Sequence, residues 1–495
     1  MYYPNIDQVQ QLAKDYSIVP VSFEAYADTE TPISIFKCLC RSDSCFLLES
    51  VEGGEKWGRY SFIGRNPFLI VKGSGKRTEL FYRGGNHEIL EKNPFEVMKQ
   101  LMPKYSGAPV KGMPRFNGGA VGFFGYDTAR YFEKLPDIPA DDIGIPELHF
   151  MFMDEIIAFD HFRHKLHIIV NIHVDAGSVE RSYRTAAARI NEIYEEIRAG
   201  RRTLDESMIR KAPAVKNTLK VESNISHEQF CRNVQSAREY IRNGDIFQVV
   251  LSQRLRIKTE CEPLNAYRAL RTINPGPYMY YLKFDNYTLA GSSPEMLVRV
   301  EGRRVETCPI AGTRKRGADE IQDIELENEL LDDEKERAEH IMLVDLGRND
   351  LGKVSKPGTV KVDSLMHVER FSHVMHIVSN ISGELREDAS SFDALGAVLP
   401  AGTLSGAPKI RAMEIIDELE TVKRCQYGGA VGYMSFSGDL DSCITIRTVL
   451  FKDGYAYVQA GCGIVADSVP ETEYEESMNK AMALIKAVEE GEMIV

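Results

Sequence analysis

The sequence predicts an α+β fold whose sheets are antiparallel, and three observations lead to this prediction. Short β-rich runs, such as residues 46–50 and 166–170, occur within the first 200 residues. A segment that alternates in the manner of a strand, residues 247–257, directly follows a segment with helical periodicity. Helices and strands are interspersed without the regular strand–helix–strand rhythm of parallel sheets.

The composition is that of a folded protein without a general affinity for polyanions. The chain has 495 residues, which corresponds to about three domain-sized units. Hydrophobic residues make up 43% and charged residues 27%, the usual balance for a globular protein. The formal net charge of -13 argues against nucleic-acid or anionic membrane partners. An anionic metabolite must therefore be held by local basic groups or by a metal.

Cysteine usage and the absence of apolar segments predict a cytoplasmic location. The chain has nine cysteines, an odd number that cannot all pair within the chain, and none of them forms a CxxC pair. This pattern favours free thiols in a reducing compartment. No signal peptide or membrane-spanning segment is visible.

A composition shift near residue 200 divides the chain. A helical pattern near residues 180–198 is expected to end at Gly200, and a basic, polar segment follows it. We predict an N-terminal region over 1–200, a connecting segment over 201–225 and a second region over 226–495. Within the first region, the glycine-rich residues 118–126 suit close packing of strands.

The second region opens with a predicted helix. The run from Ser226 to Gln229 reads as a capping box, and Gly244 is a plausible stop. Apolar residues recur between them at helical spacing: Phe230, Val234, Ala237 and Ile241.

The segment 247–257 then predicts a strand. Its alternation places five apolar residues on one face: Phe247, Val249, Leu251, Leu255 and Ile257. The opposite face carries Gln248, Ser252, Arg254 and Arg256.

Two glycine-containing loops are candidate binding elements. Residues 461–466 fit a loose GxGxxA pattern, but Pro470 follows where a helix should begin, which argues against a dinucleotide site. Residues 402–409 precede an amphipathic pattern and could bind a carboxylate through backbone N–H groups, or could be a plain tight turn. That amphipathic face is predicted to contain Ile410, Met413, Ile416 and Leu419.

Two Glu-x-x-Glu pairs are candidate metal ligands. Glu336 with Glu339, and Glu473 with Glu476, each lie on one face of a predicted helix. Such pairs are common on solvated surfaces, so each pair alone has a simple structural explanation. If the two pairs face each other, their oxygens suit a hard cation such as Mg²⁺.

His376 and Arg447 have both structural and functional interpretations. His376 lies in an apolar run, where a histidine is usually a core residue with satisfied hydrogen bonds. Arg447 is a charge within a β-branched segment that we predict to be a strand. It could bind a carboxylate through two hydrogen bonds, or form a salt bridge on the face of a sheet.

Four long, ordered motifs carry a resemblance that covers nearly the whole chain. They are Pro309 to Arg314, Glu339 to Leu351, Pro400 to Lys409 and Gly461 to Ser468. Together with residues 47–50 and 118–126, they resemble the chorismate-utilising enzymes, and within them anthranilate synthase component I. The resemblance implies orthogonally packed antiparallel β-sheets flanked by helices. It also implies that residues 226–495 form the catalytic region and residues 1–200 a regulatory one.

The implied reaction joins chorismate and ammonia to give anthranilate and pyruvate, in tryptophan biosynthesis. The resemblance implies Mg²⁺ bound by Glu339 and Glu476, assisted by Glu336 and Glu473. Glu295 resembles the general acid that protonates the departing hydroxyl, for which partial burial would raise its pKa.

Further roles follow from the same resemblance. His376 matches the histidine that assists the later elimination, and Gln248 and Thr313 complete the implied catalytic set. The implied substrate-binding residues are Ala311, Gly312, Thr313, Thr403, Tyr427, Arg447, Gly461 and Gly463. Of these, Thr403, Tyr427, Arg447 and Gly463 match positions that hold the enolpyruvyl carboxylate.

Two positions sort the family by chemistry. Relatives that add water at ring carbon 2 carry a lysine base where this chain has Gln248. Relatives that aminate carbon 4 carry a lysine nucleophile where it has Ala311. Both replacements favour anthranilate synthesis.

No Gly-x-Cys-x-Gly turn of an amidotransferase occurs in the chain. We therefore expect a separate glutamine amidotransferase subunit that supplies ammonia, and hence a hetero-oligomer. Tryptophan is the expected feedback inhibitor, because two segments resemble the family's tryptophan-binding elements. The residues concerned are Glu49, Ser50, Pro277, Tyr278 and Met279. A β-edge strand and a proline turn would explain the same segments structurally.

Two alternative functions stay open from the sequence. One is aminodeoxychorismate synthase component I, and the other is a non-catalytic regulatory subunit that binds chorismate or tryptophan.

Overall fold

The computed structural model describes residues 2–50, 58–174, 177–204, 219–371 and 374–494. Residues 205–218 of the predicted connecting segment lie outside the described residues. In the described ranges the helices are α1 Ile6–Leu12, α2 Pro32–Leu39, α3 Pro94–Leu101, α4 Val179–Leu204, α5 His227–Arg242, α6 Pro263–Ile273, α7 Glu320–Asp332, α8 Glu334–Gly352, α9 Ser391–Val398, α10 Gly402–Ser405, α11 Lys409–Leu419 and α12 Pro470–Glu492. Two short 3₁₀ helices span Met102–Lys104 and Tyr126–Tyr131.

The strands of the same ranges are β1 Tyr2–Tyr3, β2 Ile18–Tyr26, β3 Cys45–Glu49, β4 Tyr60–Arg65, β5 Leu69–Ser74, β6 Arg77–Tyr82, β7 His87–Leu90, β8 Gly119–Phe124, β9 Leu148–Met153, β10 Glu155–Asp160, β11 Lys165–His173, β12 Val221–Ser223, β13 Gln248–Lys258, β14 Tyr278–Phe284, β15 Tyr287–Ser293, β16 Met296–Glu301, β17 Arg304–Thr307, β18 Ile310–Lys315, β19 Lys361–Arg370, β20 Val374–Glu384, β21 Gly406–Ala407, β22 Ala430–Ser435, β23 Leu440–Ile444, β24 Thr448–Lys452 and β25 Tyr455–Ile464.

These strands form two sheets. The first has the order β1-β2-β11-β10-β4-β3-β14-β15-β24-β25-β13-β12, with β21 paired to β13. The second has the order β18-β20-β17-β16-β23-β22-β8-β9-β5-β6-β7, with β19 paired to β20. The neighbouring strands that build each sheet run antiparallel, for example β13 with β25 and β22 with β8. The predicted α+β fold with antiparallel sheets flanked by helices is confirmed.

Both sheets contain strands from both sides of the predicted division at 201–225. In the first sheet β3 pairs with β14, so that Leu48 faces Tyr280. In the second sheet β8 pairs with β22, so that Gly122 faces Gly432. The division into domains therefore stays a prediction. The N-terminal region and the second region each contribute strands to both sheets.

The three largest hydrophobic clusters of the described residues fill spaces between layers. One joins the two sheets and contains Phe46, Phe123 and Leu450. A second packs helices α2, α4, α6 and α12 on the first sheet, and a third packs α3, α8 and α9 on the second sheet. Burial of apolar area at about 25 cal/mol per Å² is the main force that holds such layers together.

The helix α4 does not end at Gly200 as predicted. It continues to Leu204, because Gly200 serves close packing and not helix termination. A Cβ atom at this position would lie 2.7 Å from Cys38 Sγ. The missing side chain therefore lets α4 approach the end of α2.

Helix α5 begins at the predicted cap. The Ser226 hydroxyl accepts a hydrogen bond from the Gln229 N–H at 3.2 Å. The Gln229 side chain bonds instead to Asn233, at 2.8 Å, so the capping box is only half formed.

Strand β13 has the predicted alternation with one correction. Val249, Leu251, Leu255 and Ile257 are buried, but Phe247 precedes the strand and is 72% exposed. On the polar face Gln248, Ser252 and Arg254 are buried too, whereas Arg256 is exposed. Ser252 donates to Glu420 and accepts from Gln459, both of which are buried. The first part of the strand is therefore covered on both sides, and only its end reaches the surface.

Helix α11 buries Met413 and Ile416 as predicted, but Ile410 is 45% exposed. Its buried face also includes Ala412 and Ile415, because the helix packs against strand β13 on that side. Residues 461–464 lie inside strand β25 and not in a strand–helix turn, which rules out the dinucleotide interpretation.

The nine cysteines are free thiols, as predicted. In the described ranges, no helix combines the length and apolar character that crossing a membrane requires.

Candidate active site

Two chain crossings between the sheets lie side by side and carry two of the predicted site residues. Glu295 follows β15 of the first sheet and precedes β16 of the second. Arg447 lies where the chain returns from β23 to β24. The Ile444 N–H donates to the Glu295 carbonyl and the Ser292 N–H donates to the Arg447 carbonyl, each at 3.0 Å. The two crossings therefore fix each other.

Glu295 is a buried carboxyl group, and no cation among the described residues contributes to its pKa. It is 7% exposed, and burial raises its pKa to about 8. The Thr403 hydroxyl donates to Glu295 Oε1 at 3.0 Å, and the Ile310 N–H also donates to the carboxyl group. These two bonds act in the opposite direction, and burial prevails. Glu295 is therefore largely protonated at neutral pH.

The β-branched segment predicted a strand at Arg447, but Arg447 lies between two strands. Strand β23 ends at Ile444 and β24 begins at Thr448, and Arg447 has a left-handed φ of +51°. Its Nη1 donates to Asn274 Oδ1 at 3.1 Å. Burial lowers its pKa, and no carboxylate of the described residues contributes to that pKa. The guanidinium thus keeps its charge for an anion.

His376 lies in β20 with its ring held in one orientation. Nδ1 is 2.8 Å from the Gly312 carbonyl and 3.1 Å from the Thr313 hydroxyl. A carbonyl oxygen only accepts, so Nδ1 carries the proton and Nε2 has a free lone pair. Burial lowers the pKa of His376, with Arg447 and Lys480 adding to this effect. The ring is therefore a neutral base.

Strand β18 connects these groups. Ala311 faces Ile377 in the register of β18 with β20, next to His376. Gly312 and Thr313 form the irregular part of this pairing, since the register shifts between Ala311 and Arg314. The bulge points the Gly312 carbonyl at His376.

Gln248 connects β13 to the first carboxylate pair. Its Nε2 donates to Glu339 Oε1 at 3.0 Å, and its own Oε1 is buried without a hydrogen-bond partner in the described structure. Gly463 of β25 lies directly against it, because a Cβ there would be 2.5 Å from Gln248 Nε2. Gly461 lies two residues earlier, and its carbonyl accepts from Lys480 at 3.1 Å.

Glu336 and Glu339 occupy the first two turns of α8, as predicted. Burial and the neighbouring Glu339 raise the pKa of Glu336. The Arg314 guanidinium lies 3.4 Å from Glu336 Oε1 and partly offsets this effect.

Glu473 and Glu476 occupy the first turns of α12, also as predicted. Burial and the neighbouring Glu476 raise the pKa of Glu473. Glu476 pairs with Lys480 at 2.7 Å. Cys462, which lies between Gly461 and Gly463, interacts with both carboxylates.

The two pairs lie on neighbouring elements but do not converge on one point. Lys335 of α8 and Asp467, just before α12, form an ion pair at 3.4 Å. Glu339 contacts Gln248, which contacts Gly463 of the strand that leads to α12. Within the described ranges, no three His, Cys, Asp or Glu side chains are grouped closely enough to hold a metal ion.

Thr403 and Tyr427 are the two remaining predicted substrate-binding residues. Thr403 contacts the Glu295 carboxyl group directly. Tyr427 is buried, with the Arg424 guanidinium 5.7 Å from its ring centre. Burial raises the pKa of the Tyr427 phenol, and Cys462 is among its neighbours. Its hydroxyl is therefore neutral.

A separate pocket gathers the five predicted inhibitor residues. Glu49, Ser50, Pro277, Tyr278 and Met279 all line it. Glu49 is buried, and burial raises its pKa. The Tyr267 hydroxyl donates to Glu49 Oε2 at 2.6 Å, and Arg271 lies 2.9 Å from the same oxygen.

Sequence reasoning missed several residues that the structure places at these sites. Lys480 is a cation beside Glu476, and its spacing of four residues could have revealed it. Asn274 contacts Arg447 from the end of helix α6, and nothing in its local sequence indicates that contact. Tyr267 and Arg271 hold Glu49 from helix α6, for which no local signal exists.

The chain matches the chorismate binding enzyme family over residues 44–486. It is 63% identical over 491 residues to anthranilate synthase component 1 of Acetivibrio thermocellus, covering 99% of each chain. The crystal structure of anthranilate synthase component I from Streptococcus pneumoniae is 38% identical, with a TM-score of 0.76 over 88% of this chain and 95% of that chain. An isochorismate synthase of Escherichia coli shares the fold, with a TM-score of 0.69 at 16% identity and 98% of each chain covered.

The fold and the full-length relatives define a chorismate-utilising enzyme. The chain belongs to the chorismate binding enzyme family. The predicted resemblance to anthranilate synthase component I is confirmed by full-length relatives of that name.

Proposed function

We propose that the chain is the large subunit of an anthranilate synthase, converting chorismate and ammonia to anthranilate and pyruvate in tryptophan biosynthesis. The relatives that support this are similar over their full length. The observation that carries the proposal is the protonated, buried Glu295 at a sheet crossing beside Arg447, an arginine without a carboxylate partner in the described structure.

Glu295 acts as the general acid. Loss of the 4-hydroxyl of chorismate requires a proton, because hydroxide is a poor leaving group. A carboxyl group with a pKa of about 8 still holds that proton at neutral pH. In this mechanism Oε2 carries the proton to the substrate, because Oε1 accepts from the Thr403 hydroxyl.

Arg447 binds a carboxylate of the substrate. Chorismate is a dianion, and a guanidinium can donate two parallel hydrogen bonds to a carboxylate. Tyr427, Thr403 and Gly463 complete the proposed surface for the enolpyruvyl carboxylate. Lys480 adds positive charge near His376, which helps a chain of net charge -13 to attract a dianion.

His376 assists the later elimination of pyruvate. Its Nδ1–H is held by Gly312, so Nε2 can take the proton that leaves ring carbon 2 as the ring becomes aromatic. The lowered pKa keeps the imidazole neutral and able to accept that proton.

Gln248 and Ala311 favour amination at carbon 2. The Gln248 amide donates to Glu339 and has no basic atom that could deprotonate water. Ala311 lies in β18 beside His376 and offers no nucleophile. An aminodeoxychorismate synthase would need a lysine there, so this alternative is less well supported.

Mg²⁺ is the proposed cofactor, held by Glu339 and Glu476 with Glu336 and Glu473. The donor chemistry fits, because hard cations prefer carboxylate oxygens. The raised pKa values of Glu336 and Glu473 report carboxylates crowded in a poorly solvated place, which a cation would relieve. A bound ion would compete with Gln248 for Glu339 and with Lys480 for Glu476. When bound, it would supply positive charge for the ring carboxylate.

Ammonia comes from a separate glutamine amidotransferase subunit in the proposed hetero-oligomer, which we expect in the cytoplasm. Cys462 is buried in β25, and burial raises its thiol pKa. It therefore lacks the thiolate that a glutaminase nucleophile needs.

Tryptophan is the proposed inhibitor at the pocket of Glu49 and Ser50. The lining supports an aromatic amino acid as ligand, because aromatic side chains lie beside the acidic groups Glu49 and Asp441 and two arginines. Glu49 would exchange part of its contact with Arg271 for the ligand ammonium.

The test is a fluorescence assay of purified protein with chorismate, Mg²⁺ and ammonium. Anthranilate fluorescence and one pyruvate for each anthranilate are expected. Formation of para-aminobenzoate precursors would support the aminodeoxychorismate alternative. Chorismate binding without turnover would identify a non-catalytic regulatory subunit.

A further inference from the structure

Asn274 lies between Arg447 and the C-terminal end of helix α6. Its backbone N–H caps α6 by donating to the Leu270 carbonyl at 2.9 Å. Its own carbonyl accepts from the Ser292 hydroxyl at 2.6 Å. Its side-chain Oδ1 accepts from Arg447 Nη1 at 3.1 Å. The residue is thus fixed on the backbone side and presents only its amide to the guanidinium.

The neutrality of this partner matters. A hydrogen bond from an arginine to an amide oxygen orients the guanidinium plane, but it leaves the positive charge uncompensated. No carboxylate of the described residues contributes to the pKa of Arg447. The full charge is therefore available for a substrate carboxylate, in a place where little water competes.

The backbone of Arg447 is held by the same segment. The Ser292 N–H donates to the Arg447 carbonyl, while the Ser292 hydroxyl donates to Asn274. Arg447 adopts a left-handed φ of +51°, which a non-glycine residue keeps only when its surroundings enforce it. Both ends of the arginine are therefore set by contacts to Asn274 and Ser292.

We propose that Asn274 is a positioning residue for Arg447, orienting the guanidinium toward a substrate carboxylate without neutralising it. This inference rests on the proposed function, in which Arg447 binds chorismate. It predicts that a carboxylate at this position competes with the substrate, although it is a better hydrogen-bond acceptor than an amide.

The test compares Asn274→Asp with Asn274→Ala by chorismate binding and by steady-state kinetics. Aspartate has the shape of asparagine and keeps the Arg447 contact, so a purely structural role predicts near wild-type behaviour. The proposal predicts instead that Asn274→Asp binds chorismate more weakly than Asn274→Ala does. Asn274→Asp should raise KM and the dissociation constant of chorismate at least about tenfold, and Asn274→Ala about threefold, with smaller changes in kcat.

A matched control exists on the same helix. Asn265 Oδ1 accepts from Arg268 Nη1 at 3.1 Å, the same pairing in a place that the active site does not include. Asn265→Asp should leave the KM for chorismate unchanged. Thermal unfolding of all three variants identifies any loss of folding. If Asn274→Asp is unstable, the threefold change expected for Asn274→Ala is the test.

Chorismate binding equal to that of the wild type in Asn274→Asp, or weaker binding in Asn274→Ala than in Asn274→Asp, overturns the inference. Direct binding by calorimetry separates this outcome from failure of the proposed function. A wild-type protein that binds chorismate without forming anthranilate contradicts only the latter.

Discussion

The Thr403 hydroxyl and the Glu295 carboxyl group, 108 residues apart in the chain, form a hydrogen bond of 3.0 Å. Burial raises the pKa of Glu295, whereas this bond lowers it, and the balance leaves the pKa at about 8. The pair therefore sets how much of the acid is protonated at physiological pH.

We expect the turnover rate, corrected for free ammonia, to fall as pH rises through about 8, because Glu295 must be protonated to act. Thr403→Val removes a bond that favours the carboxylate, so its falling limb should move about one pH unit higher. Thr403→Ser keeps the hydroxyl and should retain the wild-type profile. A limb in Thr403→Val that stays in place or moves to lower pH would contradict this arrangement.

Glu295→Gln should lower kcat for anthranilate formation by about 100- to 10,000-fold, the range expected for loss of a general acid. Chorismate binding, measured by calorimetry, should change little, since Gln keeps the size and the contact with Thr403. Glu387→Gln, at an exposed position, is the matched control. Weak loss of activity in Glu295→Gln would assign the proton to another group.

The folding stability should also report the protonation of Glu295. Its pKa rises from the ordinary 4.5 to about 8 in the folded state. Between these values the folded chain binds more protons than the unfolded one, so its contribution is lost as pH rises. Relative to Glu295→Gln, the wild type should lose up to about 1.4 kcal/mol of unfolding free energy for each pH unit in this window. Denaturant titrations at several pH values measure the difference, and parallel curves for both proteins would refute it.

Glu339→Gln and Glu476→Gln should each raise the Mg²⁺ concentration for half-maximal activity about tenfold or more, because each removes a charged oxygen ligand. Double substitution of Glu192 and Glu195 by Gln is the control, since this Glu-x-x-Glu pair lies exposed on α4. Activity assays over a range of Mg²⁺ concentration check the result. An unchanged Mg²⁺ requirement in both site variants would place the ion elsewhere.

Ser50→Phe should abolish tryptophan inhibition while anthranilate formation persists. The larger side chain would fill the pocket that Glu49 and Met279 also line. Ser50→Ala removes the hydroxyl without filling the pocket, so it should weaken inhibition by about tenfold or less. Inhibition curves and direct tryptophan binding distinguish the two variants. Full inhibition of Ser50→Phe would show that tryptophan acts at another place.

Local features of the sequence predicted many elements correctly. The Ser226 cap and the apolar positions of β13 follow from interactions within a few residues. The predicted end of α4 and the predicted strand at Arg447 were wrong. Gly200 is required by its close contact with Cys38, which is distant in the sequence. Arg447 lies where the chain crosses from one sheet to the other, and local residue types do not reveal such a crossing.

By itself, the sequence determined the motifs of the family, the helical pairing of Glu336 with Glu339 and of Glu473 with Glu476, and the absence of an internal glutaminase cysteine. These depend on residue identity and on spacing along one helix. Only the tertiary structure decided that Glu295 is buried and protonated and that Arg447 pairs with an amide. Burial and pairing depend on which distant strands become neighbours in the two sheets, and spacing along the chain does not encode that order.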